Sequence, residues 1–457
     1  MTHRPTQRDE RWLHAVTAQE TAGTGALVAG TEPWPGIDPW PGLLDAPVVF
    51  GLRSRARPSG VEPDDLDRHL SRYGPRPVAT GLHGESLLDR LQQVALTGRG
   101  GGHFPVAVKW RTALAAGGGG TVVANGAEGE PASAKDAALL QLRPHLVLDG
   151  LALAAETLGA RDAVVWLHEG DHATHQAVSR ALAERRSASD LGLVVRIAEG
   201  PDHYLSGESS AVVRALSGGP ALPYLARRPA AVHGVGGRPT LLHNADTLAR
   251  VALVARFGLD ADTGGALVTV VGPSRRVVLG LPAGETFARL LARTGVVGGV
   301  PQAVLVGGYG GSWLPWSQVA AVQVCEAGLR PLGASLGAGV VAPLPAGACG
   351  LAETANLVAF LAASSARQCG PCMFGLPAVA DLVGRLAAGR AGRADLKALR
   401  RYAGEVAGRG ACHHPDGAVR LVSSALRVFE ADVRRHLSDG PCAGASGPAL
   451  LPVPEVG

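Results

Sequence analysis

Helical segments that alternate with short, valine-rich strands constrain the fold of this chain more than any other feature. Between residues 85 and 200, apolar strands at 121–124, 162–167 and 191–197 are separated by segments with helical periodicity. Strands that are apolar throughout are typical of a parallel sheet with helices on both faces. The alternation therefore predicts an α/β fold built on a parallel sheet.

Two different patterns follow this α/β region. Near residue 264, two strand-like segments precede a short helix and a third strand, which is the order of a small β-grasp domain. From about residue 351, four helical segments are enough for a four-helix bundle. The predicted parts are an irregular Pro- and Gly-rich segment over 1–80, an α/β domain over 81–250, a β-grasp domain over 251–335, a helical domain over 336–437 and a flexible tail over 438–457.

Charge and cysteine content exclude several classes of protein. The net charge of +4 over 457 residues does not indicate a basic surface for nucleic acid. Six cysteines without regular pairing argue against a secreted disulfide framework. The first 20 residues show no apolar signal region, and the longest uncharged stretch is interrupted by Gly and Pro. We therefore expect a cytoplasmic protein with no membrane span of its own and no nucleic-acid partner.

A glycine-rich loop at 98–102 is the first candidate binding element. Successive backbone N–H groups without side chains can converge on a phosphate, although a glycine run can equally be a plain flexible loop. The dinucleotide fingerprint G-x-G-x-x-G fails, because its third glycine would be His103. Lys109 follows closely and is one of only three lysines in a chain that otherwise uses arginine. It could neutralise a phosphate or be an ordinary surface lysine.

Three late cysteines are candidate metal ligands. Cys369-Gly-Pro-Cys372 has the spacing of a thioredoxin motif, but it follows a helix and lacks an upstream βαβ unit. Cys412 comes next in the chain and is followed by His413 and His414. Three thiolates with a histidine suit zinc, and thiolates equally suit an iron–sulfur cluster. The spacing of the cysteines alone is equally consistent with a zinc site and with an iron–sulfur cluster.

Four segments in order resemble one family. Residues 98–110 read GRGGGHFPVAVKW, residues 125–136 read NGAEGEPASAKD, residues 204–211 read YLSGESSA and residues 239–248 read PTLLHNADTL. They are similar to the corresponding motifs of the flavin-binding subunit of respiratory complex I and of related hydrogenase and formate dehydrogenase subunits. The resemblance covers roughly residues 85–437.

The resemblance implies that the chain binds FMN and a [4Fe–4S] cluster and transfers electrons from the flavin to the cluster. It also implies another electron-transfer protein as partner, a ferredoxin-like protein or a membrane reductase subunit. The protein would then be free in the cytoplasm or held at the inner face of the membrane by that partner. The resemblance further implies that the β-grasp domain is of the soluble-ligand-binding (SLBB) type. The cysteines that would hold the metal are Cys369, Cys372 and Cys412, and the catalytic candidate is Glu130. The cofactor-binding candidates are Gly98, Arg99, Gly100, Gly101, Phe104, Lys109, Asn125, Glu128, Tyr204, Gly207, Glu208, Asn244 and Thr247.

Departures from the family pattern concentrate in the NADH site. His103, Ala127 and Ser209 stand where the family has Gly, Asp and Glu, and Thr112 replaces an aromatic residue. A second aromatic, upstream of residues 239–248, is also missing. Stacking faces contribute much of the affinity for a nucleotide. The electron donor is therefore left open between NADH and another donor such as reduced ferredoxin.

A second departure affects the metal. Ala366 takes the place of the first of four family cysteines, so the cluster would be three-iron or incompletely ligated unless a serine or histidine completes it. Cys325, Cys349 and Cys442 are expected to be structural or incidental. The competing hypothesis is a non-catalytic scaffold subunit that holds zinc in a Cys3His site and has lost its flavin.

Overall fold

A four-stranded parallel sheet forms the centre of the first half of the molecule. The computed structural model describes residues 43–44, 46–52, 56, 62–79, 86–189, 191–261 and 264–454. The strand order is β4-β3-β2-β5, and every neighbouring pair is parallel. This confirms the predicted α/β fold. The strands are β2 (Thr121–Asn125), β3 (Asp162–His168), β4 (Val194–Gly200) and β5 (Thr240–Asn244).

Helices cover this sheet, and one predicted helix is interrupted. The helical periodicity of residues 136–158 predicts one long helix, but the structure has two helices that meet at Arg143. Pro144 starts the second helix and cannot donate a backbone hydrogen bond to the first. The helices of this region are α1 (Leu66–Tyr73), α2 (Leu87–Gln93), α3 (Val106–Ala115), α4 (Lys135–Leu142), α5 (Pro144–Leu158), α6 (His172–Ala188), α7 (Ser209–Leu216) and α8 (Ala245–Phe257).

A second, six-stranded sheet has the order β1-β7-β6-β10-β8-β9. Its neighbouring strands are antiparallel except for the parallel pair β6 and β10. One edge strand comes from the N-terminal segment that was predicted to be irregular, most of which lies outside the described residues. The strands are β1 (Val48–Gly51), β6 (Ala266–Val271), β7 (Arg275–Leu281), β8 (Ala303–Val306), β9 (Ser312–Pro315) and β10 (Val340–Leu344), with helices α9 (Phe287–Thr294), α10 (Trp316–Val319) and α11 (Glu326–Leu329) between them.

The remaining described chain is helical. Residues 418–436, which the periodicity predicts as one helix, are divided at Phe429 between two helices. A single π-helical turn, Pro371–Gly375, leads directly into α13 and carries Cys372. The helices are α12 (Gly350–Ala363), α13 (Leu376–Ala387), α14 (Arg393–Val406), α15 (His414–Val428) and α16 (Glu430–Ser438).

The segment after α16 is packed, which corrects the prediction of a flexible tail. Leu450 and Leu451 are buried, and the Leu450 amide donates to Glu353 Oε1 at 2.7 Å. The Tyr309 hydroxyl donates to the backbone carbonyl of Pro452. The sequence did not predict this packing, because a segment rich in Gly, Pro and Ala shows no helix or strand periodicity. The residues that it contacts, Glu353 and Tyr309, are also distant in the sequence. Within the described chain, helices of the length and apolarity needed to cross a bilayer do not occur.

Candidate functional site

A cavity of about 350 Å³ lies where strands β2 and β5 end. The last residues of these two parallel strands, Asn125 and Asn244, are register partners, so both side chains reach the same edge of the sheet. Ligands of open α/β sheets bind at the carboxyl ends of the strands. Ten of the predicted catalytic and cofactor-binding residues line the cavity: Arg99, Gly100, Gly101, Asn125, Glu128, Glu130, Tyr204, Gly207, Glu208 and Asn244.

The other four predicted cofactor-binding residues, Gly98, Phe104, Lys109 and Thr247, lie outside the lining of this cavity. Thr247 is fully buried, and its hydroxyl accepts a hydrogen bond from the Arg99 amide at 2.8 Å, so it anchors the glycine loop from behind. The Gly98 amide donates to the Phe104 carbonyl at 2.9 Å, which closes the base of the loop. The Lys109 ammonium donates to the Leu242 carbonyl of β5. These residues support the loop from outside the cavity.

The two strand-end asparagines are held by hydrogen bonds at both polar atoms. Asn125 Nδ2 donates to the Gly207 carbonyl at 2.8 Å, and its Oδ1 accepts from the Ala127 amide at 3.2 Å. Asn244 Nδ2 donates to Asp136 Oδ2 at 2.6 Å, and its Oδ1 accepts from the Lys135 ammonium at 3.2 Å. Their orientation in the cavity wall is therefore fixed before any ligand binds.

Gly207 lets two loops of the cavity wall approach each other closely. A Cβ atom at this position would lie 2.3 Å from the Ala127 carbonyl oxygen. Backbone atoms cannot yield as a flexible side chain can, so only glycine fits without moving a loop. The same approach carries the Asn125–Gly207 hydrogen bond.

We expect Gly207→Ala to lower the free energy of unfolding by about 1–3 kcal/mol, the usual cost of inserting an extra carbon into a packed site. The overlap with the Ala127 carbonyl is the physical reason. Chemical denaturation followed by circular dichroism measures the change. Gly384→Ala is the matched control, because an added Cβ there meets nothing within 4 Å inside α13. Equal stability of the two variants would contradict the close approach.

Two glutamates on the cavity wall, the buried Glu130 and the half-buried Glu128, have raised pKa values. Burial raises the pKa of Glu130 to about 7, even though Glu130 Oε2 accepts from the Tyr309 amide at 2.8 Å and from the Tyr204 hydroxyl at 3.5 Å. Burial and the charge of Asp136 raise the pKa of Glu128 to about 7 as well. Carboxyl groups that titrate near neutral pH can take up and release protons under working conditions.

The raised pKa of Glu130 predicts a pH-dependent stability. Its ordinary value is 4.5, so between about pH 4.5 and pH 7 the folded protein binds more protons than the unfolded chain, and stability falls as pH rises. Glu130→Gln should remove this contribution, worth about 1.4 kcal/mol per pKa unit, and should stabilise the protein more at pH 8 than at pH 5. Thermal melting across this range measures it. The exposed Glu405→Gln is the control, and identical pH slopes for wild type and Glu130→Gln would refute the assignment.

Lys135 and Asp136 line the cavity but were not among the predicted site residues. The Lys135 ammonium is 2.7 Å from Asp136 Oδ1, and the surrounding charges of Asp136, Glu128 and Asp246 raise the pKa of Lys135 against the effect of burial. The signal was present, because Lys135 is one of three lysines and lies inside the second motif. It also means that Lys109 is not the only lysine near the site; burial lowers the pKa of Lys109 to about 8.

One departure from the family motifs, His103, and one motif residue, Glu208, have structural roles. His103 Nε2 lies 2.9 Å from Glu326 Oε1, which ties the glycine loop to α11 beside the second sheet. Glu208 Oε2 accepts from the amides of Ser210 and Ala211 and caps the N-terminus of α7, where Ser209 replaces the family glutamate. The Glu208 carboxylate is also close enough to Cys412 to raise the pKa of that thiol, after the larger effect of burial. Glu208 thus joins the cavity to the cysteine region.

The three predicted metal ligands come together beside the cavity. Burial and the adjacent Cys369 thiol raise the pKa of Cys372 to about 12, with Cys412 contributing from farther away, and Cys412 itself lines the cavity. Within the described residues, their sulfur atoms do not form a group in which all lie within 4.8 Å of one another. Two thiolates on one zinc ion can be at most about 4.6 Å apart, whereas a cluster holds thiolates on separate irons.

The histidines that could complete the metal site are differently placed. His414 is buried, and its Nε2 lies 2.8 Å from the Leu361 carbonyl, so that nitrogen carries a proton and cannot ligate. Burial lowers the pKa of His414 to about 4. His413 is exposed, with Nδ1 3.3 Å from Asp416. Ser365 is buried, and its hydroxyl has no hydrogen-bond partner among the described residues.

Comparison with known proteins places these features in one family. A family model described as the Nuo51 FMN-binding domain matches residues 91–253. A second, described as the NADH-ubiquinone oxidoreductase-F iron-sulfur binding region, matches residues 352–436. Together they span more than half of the chain, and they cover the two regions in which the cavity and the three cysteines lie.

Individual relatives agree with these matches. The second F-subunit of the NADH-quinone oxidoreductase of Rhizobium meliloti (strain 1021) is 28% identical over 381 residues, which are 78% of this chain and 90% of the relative. The corresponding F-subunit of Escherichia coli (strain K12) is 26% identical over 438 residues, 89% of this chain and 97% of the relative. An NAD⁺-reducing [NiFe]-hydrogenase in its H₂-reduced state has a TM-score of 0.70 and 26% identity; the match covers 77% of this chain and 63% of that chain.

The fold and site define an α/β protein with a cavity at the strand ends and three cysteines beside that cavity. Within this class, the two family models and the relatives point to one family. The chain belongs to the family of complex I F-subunit-like proteins.

Proposed function

We propose that this chain is an FMN- and iron–sulfur-dependent electron-transfer subunit of an NADH dehydrogenase-like oxidoreductase. One observation carries the proposal. The cavity lined by the glycine loop and the strand-end asparagines is also lined by Cys412, one of the three candidate cluster ligands. A flavin bound there would lie directly against the metal group, so an electron would have only a short distance to travel between them.

The residues present fit FMN. The cavity volume is in the range of small-molecule sites, and the lining combines glycine amides with cationic side chains, the donors that a phosphate needs. Gly100 and Gly101 supply amides, and Arg99, Lys135 and Arg420 supply positive charge. The strand-end asparagines, already hydrogen-bonded within the protein, would offer their remaining hydrogen-bonding capacity to the flavin ring edge.

The chemistry divides between the cofactor and the chain. Bound FMN would accept two electrons from a donor and release them singly, which is chemistry that no side chain here performs. Glu130, with its pKa near 7, would hold or release a proton at its carboxyl group beside the cavity. The Tyr309 amide and the Tyr204 hydroxyl orient that carboxyl group.

The division of the second half of the chain into domains belongs to the same proposal. The six-stranded sheet with α9 is consistent with an SLBB-like β-grasp domain, and α12–α16 with a helical cluster-binding domain. Relatives named as F-subunits of NADH-quinone oxidoreductases support a partner that takes electrons from the cluster. A ferredoxin-like protein or a membrane reductase subunit has the required chemistry.

An absorption spectrum of anaerobically purified protein tests the proposal. Flavin bands together with broad cluster absorption are expected. A featureless visible region would instead support the scaffold subunit with zinc and no flavin. Stopped-flow bleaching of the flavin then separates the donors: fast bleaching at micromolar NADH supports NADH, and bleaching only by reduced ferredoxin supports replacement of the donor.

A further inference from the structure

Two cysteines outside the candidate site form a compact group with a histidine at the far end of the helical region. Cys349 immediately precedes α12, His436 lies in the last turn of α16, and Cys442 lies in the packed segment that follows. Their Sγ and ring nitrogen atoms all lie within 4.8 Å of one another. The described part of the chain holds no second group of three such ligand atoms.

Hydrogen bonds determine which nitrogen of His436 can ligate a metal. His436 is 1% exposed, and its Nδ1 lies 3.2 Å from the Leu386 carbonyl oxygen, which can only accept a hydrogen bond. The proton therefore resides on Nδ1, and Nε2 presents its lone pair to the cysteines. Nε2 is 3.8 Å from Cys349 Sγ and accepts from the Cys442 amide at 3.1 Å. A carbonyl that fixes the tautomer in this way is the usual outer partner of a metal-bound imidazole.

We propose that Cys349, His436 and Cys442 bind a zinc ion. Two thiolates and a neutral imidazole balance a divalent charge in this buried place, and this soft ligand set suits zinc. Zn–S and Zn–N bonds of about 2.3 and 2.0 Å require sulfur and nitrogen roughly 3.5 Å apart, so only a small inward movement is needed from 3.8 Å. On binding the ion, His436 Nε2 loses the hydrogen bond that it accepts from the Cys442 amide. A water molecule that reaches the ion beside the half-buried Cys442 is the fourth ligand.

The site would fasten the C-terminal segment to the helices. That segment already packs closely at Gly444, where a Cβ would lie 2.1 Å from the Gly347 carbonyl oxygen. Farther along, the segment contacts Glu353 and, through Pro452, the Tyr309 hydroxyl. Because the Tyr309 amide holds the carboxylate of Glu130, zinc here would stabilise an element that reaches the wall of the cofactor cavity. The proposal does not depend on which cofactor that cavity holds.

Zinc content of the full-length protein tests the assignment. Protein made with ample zinc and iron is dialysed, and its metals are counted by plasma mass spectrometry. Wild type should keep one zinc equivalent that Cys442→Ser loses, with a fall of several degrees in melting temperature. Cys325→Ser, which removes a thiol elsewhere, and Cys372→Ser, which removes a candidate cluster ligand, should both keep that equivalent. Replacing zinc by cobalt in the wild type should give the visible bands of tetrahedral thiolate coordination.

Three results would overturn the proposal. The first is wild-type protein that retains no zinc and shows no tetrahedral cobalt spectrum after loading. The second is a zinc content that Cys442→Ser leaves unchanged while Cys372→Ser removes it. The third is a disulfide-linked pair of peptides containing Cys349 and Cys442 after non-reducing digestion, which would show a covalent link in place of a metal. The wild-type measurements decide the question even if the serine variant does not fold.

Discussion

Lys135→Met is expected to leave the protein almost free of FMN after dialysis. The Lys135 ammonium is 3% exposed and lies between Asp136 and Asn244 on the cavity wall. Removing it takes away a cation whose charge interacts with Asp136, Glu128 and Asp246, and takes a positive charge from the proposed phosphate site. Breaking one side of a buried ion pair costs about 3–5 kcal/mol, so the melting temperature should fall as well.

The comparison with the other two lysines makes this experiment specific. Lys397→Met changes an exposed lysine on α14 and should retain the full flavin content. Lys109→Ala should weaken FMN retention by about 1.5–3 kcal/mol, because this ammonium supports the cavity through the Leu242 carbonyl without lining it. Flavin released by heat denaturation is measured for each purified variant. A Lys135→Met protein that keeps its flavin through dialysis would show that another group binds the phosphate.

The sequence was informative where chemistry is carried by local motifs. Asn125 follows directly on a strand that the apolar pattern predicts at 121–124. Asn244 belongs to a recognised motif, but its strand β5 was not predicted, so the meeting of the two side chains at one edge comes from the structure. Arg99 and Gly207 belong to continuous motifs, and the structure brings both to the cavity. Lys109 shows the limit of this reasoning. It belongs to a motif, but its ammonium donates to the Leu242 carbonyl and does not line the cavity.

Contacts between distant segments could not be read from the sequence. Tyr309 lies in a glycine loop with no recognisable motif, yet its amide binds Glu130 across 179 positions of chain. Cys349 and Cys442 belong to different elements, and only the packing of the C-terminal segment brings them to His436. Such contacts depend on how helices and loops pack, and neither periodicity nor residue type records that packing.

Ala366→Cys is expected to convert an air-sensitive cluster into a stable four-iron form. Cys369, Cys372 and Cys412 can hold three irons, and Ala366 occupies the position of the missing thiolate in the segment just before Cys369. An iron without a cysteine exchanges readily and is lost on oxidation. Wild-type protein exposed to air should therefore show the paramagnetic signal of a three-iron cluster. Ala366→Cys should lose that signal while its iron content rises from three to four and its sulfide content stays at four.

Matched variants identify what completes the site in the wild type. Ser365 is buried with an unpartnered hydroxyl one position from Ala366, so it is the serine best placed to ligate the fourth iron. If it does, Ser365→Ala should increase the three-iron signal, and if the iron is open to water the signal should not change. Ala388→Cys adds a thiol at the exposed end of α13 and should leave the cluster as it is. Protein made with ample iron that contains neither iron nor sulfide, and gains neither from Ala366→Cys, would rule out the cluster and end the electron path at the flavin.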